Sequence, residues 1–313
     1  MKRMEQDQKK RKHISVKKVI GKLAVHIVLL AGAFVMIYPL IFIVMSSLFT
    51  SVEFSTTQLG FFPIPKEPTL ENLKVLVFAG SDKDMIIYYR NTFLRTVYGT
   101  FNACITSLLA GYVFSRLKFK GREAIFLFFL ATTMLPTVFS VMPTYLMLYR
   151  FPFAGGNFIF TGGRGIYDTV WVYVVLNGPV INIMGTFLVK QTIQAMPPSM
   201  EEAAKIDGAG TACLIFRIVF PVIRAVVAYI AIINAIGLWN DWQVPFFYTR
   251  STDLQVIASA LSRMTRYMSQ EGLNPNYPGM MTLSLMLVIP SAIIFFIFQK
   301  NIVQGLVSAG IKE

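Results

Sequence analysis

The chain is poor in the residues that carry covalent and redox chemistry: of 313 residues, two are cysteine and two are histidine. Cys104 and Cys213 stand in or beside apolar runs, at a spacing that matches no metal or redox pattern, and two thiols do not build a disulfide framework. Both are expected to be packing residues. His13 lies in a basic stretch and His26 near the start of an apolar run, neither with an evident acid-base partner. The sequence holds no Gly-x-x-x-x-Gly-Lys-Ser/Thr, no His-Glu-x-x-His and no Gly-x-Ser-x-Gly. No catalytic residue, metal site or nucleotide site of its own is therefore expected.

Charge is scarce as well. Charged residues make up 14% and hydrophobic residues 55% of the chain, and the mean hydropathy is +0.58, whereas soluble domains hold roughly 25% charged and about 45–50% apolar residues. That imbalance belongs in a bilayer. The net charge of +13 does not point to nucleic acid, because much of it sits in one tail: Lys2, Arg3, Lys9, Lys10, Arg11, Lys12, Lys17, Lys18 and Lys22 face only Glu5 and Asp7. Such a tail fixes orientation or meets anionic lipid headgroups. Carboxylates are nearly missing from the apolar runs, which argues against a proton-coupled carrier.

What is present is a series of long apolar stretches. A helix needs about 20 apolar residues to cross hydrocarbon, and only a helix or a closed barrel satisfies its own backbone there. Six stretches qualify: Leu23 to Leu48, Leu94 to Phe114, Ala124 to Leu148, Thr169 to Val189, Val222 to Leu238 and Met280 to Phe298. The segments between them are too long for barrel turns and lack barrel alternation. The expected fold class is an all-α membrane protein with six transmembrane helices. The first run is too long for a signal-peptide core and shows no clean small-residue cleavage site, so it is expected to be retained.

Lys and Arg counts set the orientation. The tail and the loop with Arg116, Lys118, Lys120 and Arg122 are basic, while the loop 49–93 balances its charges. The positive-inside bias then puts both termini and the 190–221 segment in the cytoplasm. The expected organisation is a basic cytoplasmic tail 1–22, a six-helix region 23–299 with outer loops 49–93 and 240–278, and a cytoplasmic tail 300–313. Within the outer loops, Thr69 is expected to cap an apolar-periodic run to about Phe78, and Asp253 to Tyr267 to form an amphipathic helix against the outer membrane face. The glycine-rich stretch from Phe153 to Gly165 is expected to be a turn-forming loop.

One polar segment interrupts the apolar pattern on the cytoplasmic side. Pro197-Pro198 stops the preceding helix, and Ser199 followed by Glu202 reads as a capping box that opens a new one. A short helix is predicted from 199 to about 207. Ala203 and Ala204 allow close approach, Glu202 and Lys205 offer charge, and Gly208 permits a turn after Asp207. Ile218 and Pro221 then lead into the fifth span. The segment Glu202-Ala203-Ala204-Lys205-Ile206-Asp207-Gly208, with Ile218 and Phe220-Pro221 at their spacing, resembles the EAA loop of ABC-importer permeases. Over nearly its whole length the chain resembles the smaller permease of carbohydrate ABC importers, the family that includes the maltose transporter's permease pair. Phe220 departs from that family's pattern, which commonly has Leu before the proline.

The resemblance implies a type I importer permease fold with a cytoplasmic coupling helix, 199–212, that sits in a cleft of a separate ATPase. Glu202 would meet a basic group there, with Ala203, Ala204, Lys205, Asp207, Gly208, Ile218 and Pro221 completing the coupling set. It further implies a second permease as heterodimer partner, two copies of a cytoplasmic ABC ATPase holding ATP and Mg, a solute-binding protein outside, and residence in a bacterial or archaeal cytoplasmic membrane among lipids. No nucleic acid is implied. The implied function is uptake of a sugar or oligosaccharide by alternating access. Import of an amino acid, peptide or ion stays open, since the EAA loop is shared across importers. A membrane enzyme for lipid-linked substrates would need clustered His, Asp or Glu, which the sequence lacks. A neutral sugar calls for hydrogen-bonding groups and aromatic faces, for which Asn234, Trp239, Asn240, Trp242 and Gln243, with Asn102, Asn177 and Asn182, are the candidates; an interfacial aromatic belt explains the tryptophans equally well.

Overall fold

The computed structural model describes residues 16–58, 60–76, 84–152, 154, 163–178, 180–262 and 276–310. Every regular element among them that spans more than a single bridge is helical. In chain order these are α1 (Val16–Ser47), α2 (Ser51–Thr56), α3 (Glu71–Lys74), α4 (Asp84–Arg116), α5 (Arg122–Thr132), α6 (Val138–Tyr149), α7 (Trp171–Leu176) and α8 (Ile183–Ala195). After them come α9 (Ser199–Ile206), α10 (Thr211–Cys213), a π-helical turn (Leu214–Val219), α11 (Phe220–Trp239), α12 (Gln243–Tyr248), a 3-10 turn (Thr252–Leu254), α13 (257–262) and α14 (Tyr277–Gly310). Among the described residues, four stretches have the length and apolarity to cross a membrane: Gly21–Ser47, Met85–Arg116, Thr211–Trp239 and Tyr277–Lys300.

The third and fourth predicted spans differ from expectation, since each is two helices with a break between them. Residues 133–137 separate α5 from α6 at Pro136, which lacks an N–H and biases Leu135 away from helical geometry. Residues 177–182 separate α7 from α8 at Gly178, where a Cβ would lie 2.1 Å from the Val174 carbonyl oxygen. Pro179 itself is outside the described residues.

The chain forms two compact units. The first comprises Met1–Asn72 and Tyr277–Thr282. Its helix α1 carries no buried residue over its apolar window, with Leu29, Leu30, Val35 and Met36 all strongly exposed. A surface of that kind is solvated by lipid or by another helix rather than by water. At the end of α1 the buried Asn72 amide donates to the Ser47 carbonyl (3.0 Å) and the Phe49 carbonyl (2.7 Å), supplying donors that the last turn of a helix lacks. Thr69 behaves as expected, its hydroxyl accepting the Glu71 N–H at 3.1 Å; the rest of the predicted run, 77–78, lies outside the described residues.

The second unit comprises Leu73–Asn276 and Leu283–Glu313, and its core is a three-helix junction of α4, α8 and the 211–239 helix. Leu108, Tyr112, Val189, Ile193, Val219, Ile223 and Ile230 fill it. Close approach of α4 to α8 depends on small residues. A Cβ at Gly111 would stand 2.4 Å from Val189 Cγ1, and one at Gly185 would stand 2.2 Å from Ser107 Oγ. Gly99, Ala103, Ser107 and Gly111 recur every fourth residue, so one face of α4 is a small-residue seam of the kind that lets membrane helices meet backbone to backbone.

Over its described residues the predicted Asp253–Tyr267 helix begins only at 257, and it packs inward. Thr252–Leu254 form a 3-10 turn, Gln255 and Val256 are non-helical, and the residues from Val256 to Ala260 are buried. Gln255 fixes this course: its amide donates to Thr249 Oγ1 (3.0 Å) and the Ser251 carbonyl (3.2 Å), and its carbonyl accepts from Ser259 Oγ (2.9 Å). With its polar groups satisfied internally, the segment packs inward. Residues 263–267 lie outside the described residues.

Two loops are joined by Asp168, a non-glycine residue at φ 57°. Its carboxylate accepts the N–H groups of Arg250 (2.7 Å) and Ser251 (2.8 Å) and the Ser251 hydroxyl (2.8 Å). Burial pushes this carboxyl's pKa up, but the three hydrogen bonds, with the charge of Arg164, outweigh it and hold the pKa below the ordinary aspartate value. A depressed folded-state pKa contributes stability that is complete above the unfolded value and lost as pH falls through the folded one. The difference in melting temperature between wild type and Asp168→Asn in detergent should therefore shrink as pH falls through the carboxylate range. Gly111→Val should cost about 1–3 kcal/mol by overpacking the α4–α8 seam, read as a lower melting temperature of the purified protein.

Candidate functional site

The predicted short helix exists as α9, but it starts differently. Pro198 is already helical (φ −61°, ψ −27°) and is the N-terminal cap, with no side-chain cap hydrogen bond. Ser199 is thus the first helical residue, and the expected capping box does not form. Its other end follows expectation closely. Gly208 has φ 83°, its N–H donates to the Lys205 carbonyl (3.0 Å), and the Ala209 N–H donates to the Ala204 carbonyl (2.9 Å). These two bonds are a Schellman closure, which requires a residue that tolerates the left-handed conformation. No atom stands within 4 Å of a Cβ built on Gly208, so backbone angle and not space demands glycine there.

Most of α9 faces outward. Glu202, Ala203, Lys205, Asp207 and Gly208 are exposed, Ala204 is half-buried, and Ile206 is 86% exposed. An isoleucine that bare at the end of a polar helix is an apolar knob without a socket among the described residues. Glu201, which the motif does not single out, does the opposite: it is 3% exposed, and its carboxylate accepts from Arg116 Nε (2.6 Å) and from the Tyr112 hydroxyl (3.3 Å). Downstream, Ile218 is half-buried and Pro221 exposed. The π turn before Pro221 has a physical cause, since a proline cannot donate to the carbonyl four residues back and crowds it. Widening the turn, so that the Phe220 N–H donates to the Ile215 carbonyl, relieves the crowding.

The second region is the break between α7 and α8. Asn177, Gly178, Val180, Ile181 and Asn182 line a cavity of about 180 Å³ together with Gly99, Ala103, Asn234 and Leu238. Asn182 caps α8 by accepting the Gly185 N–H (2.7 Å) and donates to Asn234 Oδ1 (3.0 Å), while Asn234 donates to the Ile230 carbonyl (2.8 Å). Non-helical backbone at membrane depth persists where it lines a polar cavity.

Beside the cavity, Arg95 donates from Nε to Asn177 Oδ1 (2.9 Å) and from Nη1 to the Asp241 carbonyl (3.2 Å), pairs through Nη2 with the Asp241 carboxylate, and stands 5.1 Å from the centre of the Tyr173 ring. Its side chain is 2% exposed. Asp241 also accepts the Gln243 N–H (2.9 Å), turning the chain into α12. Arg95 and Arg116 are 116 − 95 = 21 residues apart on α4, about 30 Å along a helix axis, which is the thickness of a hydrocarbon core. The buried Arg95 and the half-buried Arg116 are thus separated along α4 by the length of one membrane crossing.

Three of the path candidates, Asn177, Asn182 and Asn234, are brought to one cavity. The others are placed elsewhere. Trp239 is buried, with Nε1 donating to the Leu287 carbonyl (3.1 Å) and its ring 6.2 Å from that of Tyr89. Asn240 donates to the Ile236 carbonyl (2.8 Å) and Ser291 Oγ (3.1 Å), Asn102 donates to the Tyr98 carbonyl on its own helix (3.0 Å), Trp242 packs beside Phe246 and Phe247, and Gln243 is exposed. Arg95 was missed although it carries the strongest signal available, a charged residue within an apolar run.

The sequence matches the family described as binding-protein-dependent transport system inner membrane component over residues 104–308. It is 25% identical to the galactooligosaccharides transport system permease protein GanQ of Bacillus subtilis, covering 96% of this chain and 98% of that one. It is 27% identical to the maltodextrin transport system permease protein MdxG of the same species (95% and 99% covered), and 25% identical to the diacetylchitobiose uptake system permease protein NgcG of Streptomyces coelicolor (91% and 87%). Its fold is similar to a chain of a bacterial ABC transporter involved in the import of the acidic polysaccharide alginate, with a TM-score of 0.72 at 19% identity and 91% and 98% of the two chains covered. A chain of the alginate transporter in complex with an alginate pentasaccharide-bound periplasmic protein gives a TM-score of 0.63 at 14% identity, with 91% and 96% covered.

Removing the guanidinium at the cavity tests how far Asp241 depends on it. Arg95→Met leaves a partly buried carboxylate unpaired and should destabilise the protein by about 3–5 kcal/mol, with Arg95→Met/Asp241→Asn recovering part of that loss in a thermal-unfolding comparison.

Proposed function

The chain belongs to the family of binding-protein-dependent transport system inner membrane components, and from that premise we propose that it takes up a sugar or oligosaccharide as one permease of an ATP-driven importer. It is a multi-pass membrane transport subunit and not an enzyme. Sugar is favoured over other solutes because the relatives named for galactooligosaccharides, maltodextrin and diacetylchitobiose each align with nine-tenths or more of the chain.

The observation that carries the coupling role is the exposed face of α9. Glu202 and Lys205 present charge, Ala203 lets a partner surface approach, and Ile206 offers an apolar knob that in isolation faces water. In the proposed assembly two cytoplasmic ATPase copies bind ATP and Mg, and α9, at the cytoplasmic side, sits in a cleft of one of them. Gly208 closes the helix, and the π turn leads on into α11, a membrane-crossing helix. A second permease completes the path, and a solute-binding protein delivers the ligand from outside, as the alginate-transporter complex exemplifies for its own substrate. ATP binding and ligand delivery then favour the outward-facing state together, each through its differential affinity for that state.

In this scheme the break between α7 and α8 is part of the path. Asn177, Asn182 and Asn234 offer amide donors and acceptors without net charge, which suits sugar hydroxyls, and the adjoining Gly99 and Ala103 leave the space open.

Two substitutions test the two halves. In liposomes carrying the assembled importer, Glu202→Lys should abolish substrate-stimulated ATP hydrolysis and uptake together, and unchanged values of both would sink the docking role. Asn234→Leu should leave ATPase binding intact while lowering uptake on the order of tenfold, the effect of leaving a polar ligand group unpaired; wild-type uptake would remove this cavity from the path.

A further inference from the structure

The proposed docking of α9 leaves open how its displacement reaches the membrane helices, and its covalent connections are ill suited to the task. On one side the chain leaves through Gly208 and Gly210, neither of which has a neighbouring atom within 4 Å of a built Cβ. On the other it enters through Pro197-Pro198, which donate no backbone hydrogen bond. The glycines leave the exit free to turn, so a side-chain tie is what can hold α9 at a fixed angle to the bundle.

Glu201 is that side chain. Among the described residues, the only side-chain hydrogen bonds made from α9 are those of its carboxylate, Oε1 to Arg116 Nε at 2.6 Å and Oε2 to the Tyr112 hydroxyl at 3.3 Å. Tyr112 and Arg116 are one helical turn apart on a single face of α4, so both carboxylate oxygens are held by one rigid element. The same guanidinium donates from Nη2 to the Met196 carbonyl at 3.0 Å, the cap residue of α8. Three elements thus meet at Arg116, whose planar fork sets their angles as a flexible ammonium would not. A second charge fastens the same end of the bundle: Lys190 of α8 donates to Glu123 Oε2 at 2.8 Å and stands 3.9 Å from the centre of the Phe126 ring, joining α8 to α5.

We propose that Glu201, pointing inward beside the outward-facing Glu202, is the positioning residue that converts movement of α9 into movement of α4 and α8. The division of labour follows from helical geometry, since neighbouring residues stand about 100° apart around the axis. Glu202 meets the ATPase, and Glu201 meets the bundle. α9 also lies against the π turn, a proximity without the directional tie of an ion pair.

The test rests on the docking role proposed above and is built to fail separately from it. Glu201→Gln, Arg116→Glu and Glu201→Arg/Arg116→Glu are compared with wild type and Glu202→Lys as assembled importers in liposomes, scoring ATPase co-purification, ATP hydrolysis and solute taken up per ATP. Glu201→Gln is expected to keep the ATPase bound and hydrolysing while uptake per ATP falls on the order of tenfold, a typical size for coupling between sites. Restoration of uptake per ATP by the charge-reversed pair supports the proposal, also where a single variant fails to assemble. Wild-type uptake per ATP in Glu201→Gln overturns it, as does a loss of uptake merely in proportion to ATPase lost, or a reversed pair no better than Arg116→Glu. If Glu202→Lys keeps the ATPase bound and active, it is the docking role that fails instead.

Discussion

A backbone that crosses hydrocarbon has no water to bond its amides and carbonyls, and every departure from helix there must be satisfied from within the protein. The rest of the structure depends on that constraint. Where the chain stays helical it is free to present leucine, isoleucine and phenylalanine outward, as α1 does along its whole apolar window. Where it breaks, at 177–182, the loose ends are gathered by polar side chains. Asn182 caps the following helix, Asn177 takes the Arg95 guanidinium, and Asn234 reaches across from α11. At this break a cavity, polar side chains and non-helical backbone come together, which is why we propose the transport path there.

Close packing around that break has its own requirement. Without a hydrophobic driving force between helices in lipid, α4 and α8 are held by contact at short range, and short range needs small residues. Gly111, Ser107 and Gly185 supply the approach, and Gly99 and Ala103 continue the same seam up to the cavity. One face of α4 therefore serves as packing surface along part of its length and as cavity wall along the rest. Two arginines, Arg95 buried and Arg116 half-buried, bound that face. Arg95 fixes the cavity end to Asp241, and Arg116 fixes the other end to Glu201. A buried ion pair is a poor source of net stability, but it is costly to break on one side only, and that cost favours two discrete arrangements over continuous deformation.

Much of this was legible in residues alone. The apolar runs announced α1, α4, α11 and α14, because a helix that must be greasy for 20 residues leaves an unmistakable composition. The Pro-Pro stop, Gly208 and the Glu-Ala-Ala spacing located α9 to within a residue or two, since proline and glycine act through local backbone sterics that need no tertiary partner. The capping box at Ser199 failed for the same kind of reason: Pro198 is itself helical, so the cap moves one residue upstream. Asp253 onward was misjudged because an amphipathic period states that one face is apolar, not whether that face meets lipid or protein, and here the buried Gln255 network decided for protein.

The sequence by itself determined the class of molecule, four of its long apolar helices and the existence of a short polar helix closed by glycine, because each follows from transfer free energy or local backbone geometry. Pro136 and Pro179 already favour kinks in the third and fourth spans, whereas which of two adjacent glutamates faces inward and which three of eight polar candidates share a cavity were decided only by tertiary structure. The reason is common to both. An eight-residue helix such as α9 has too few turns to declare a face, and an arginine or asparagine in an apolar run states that a partner exists without stating where; only the packing of α4 against α8 and α11 brings Arg116 to Glu201 and Asn234 to Asn182.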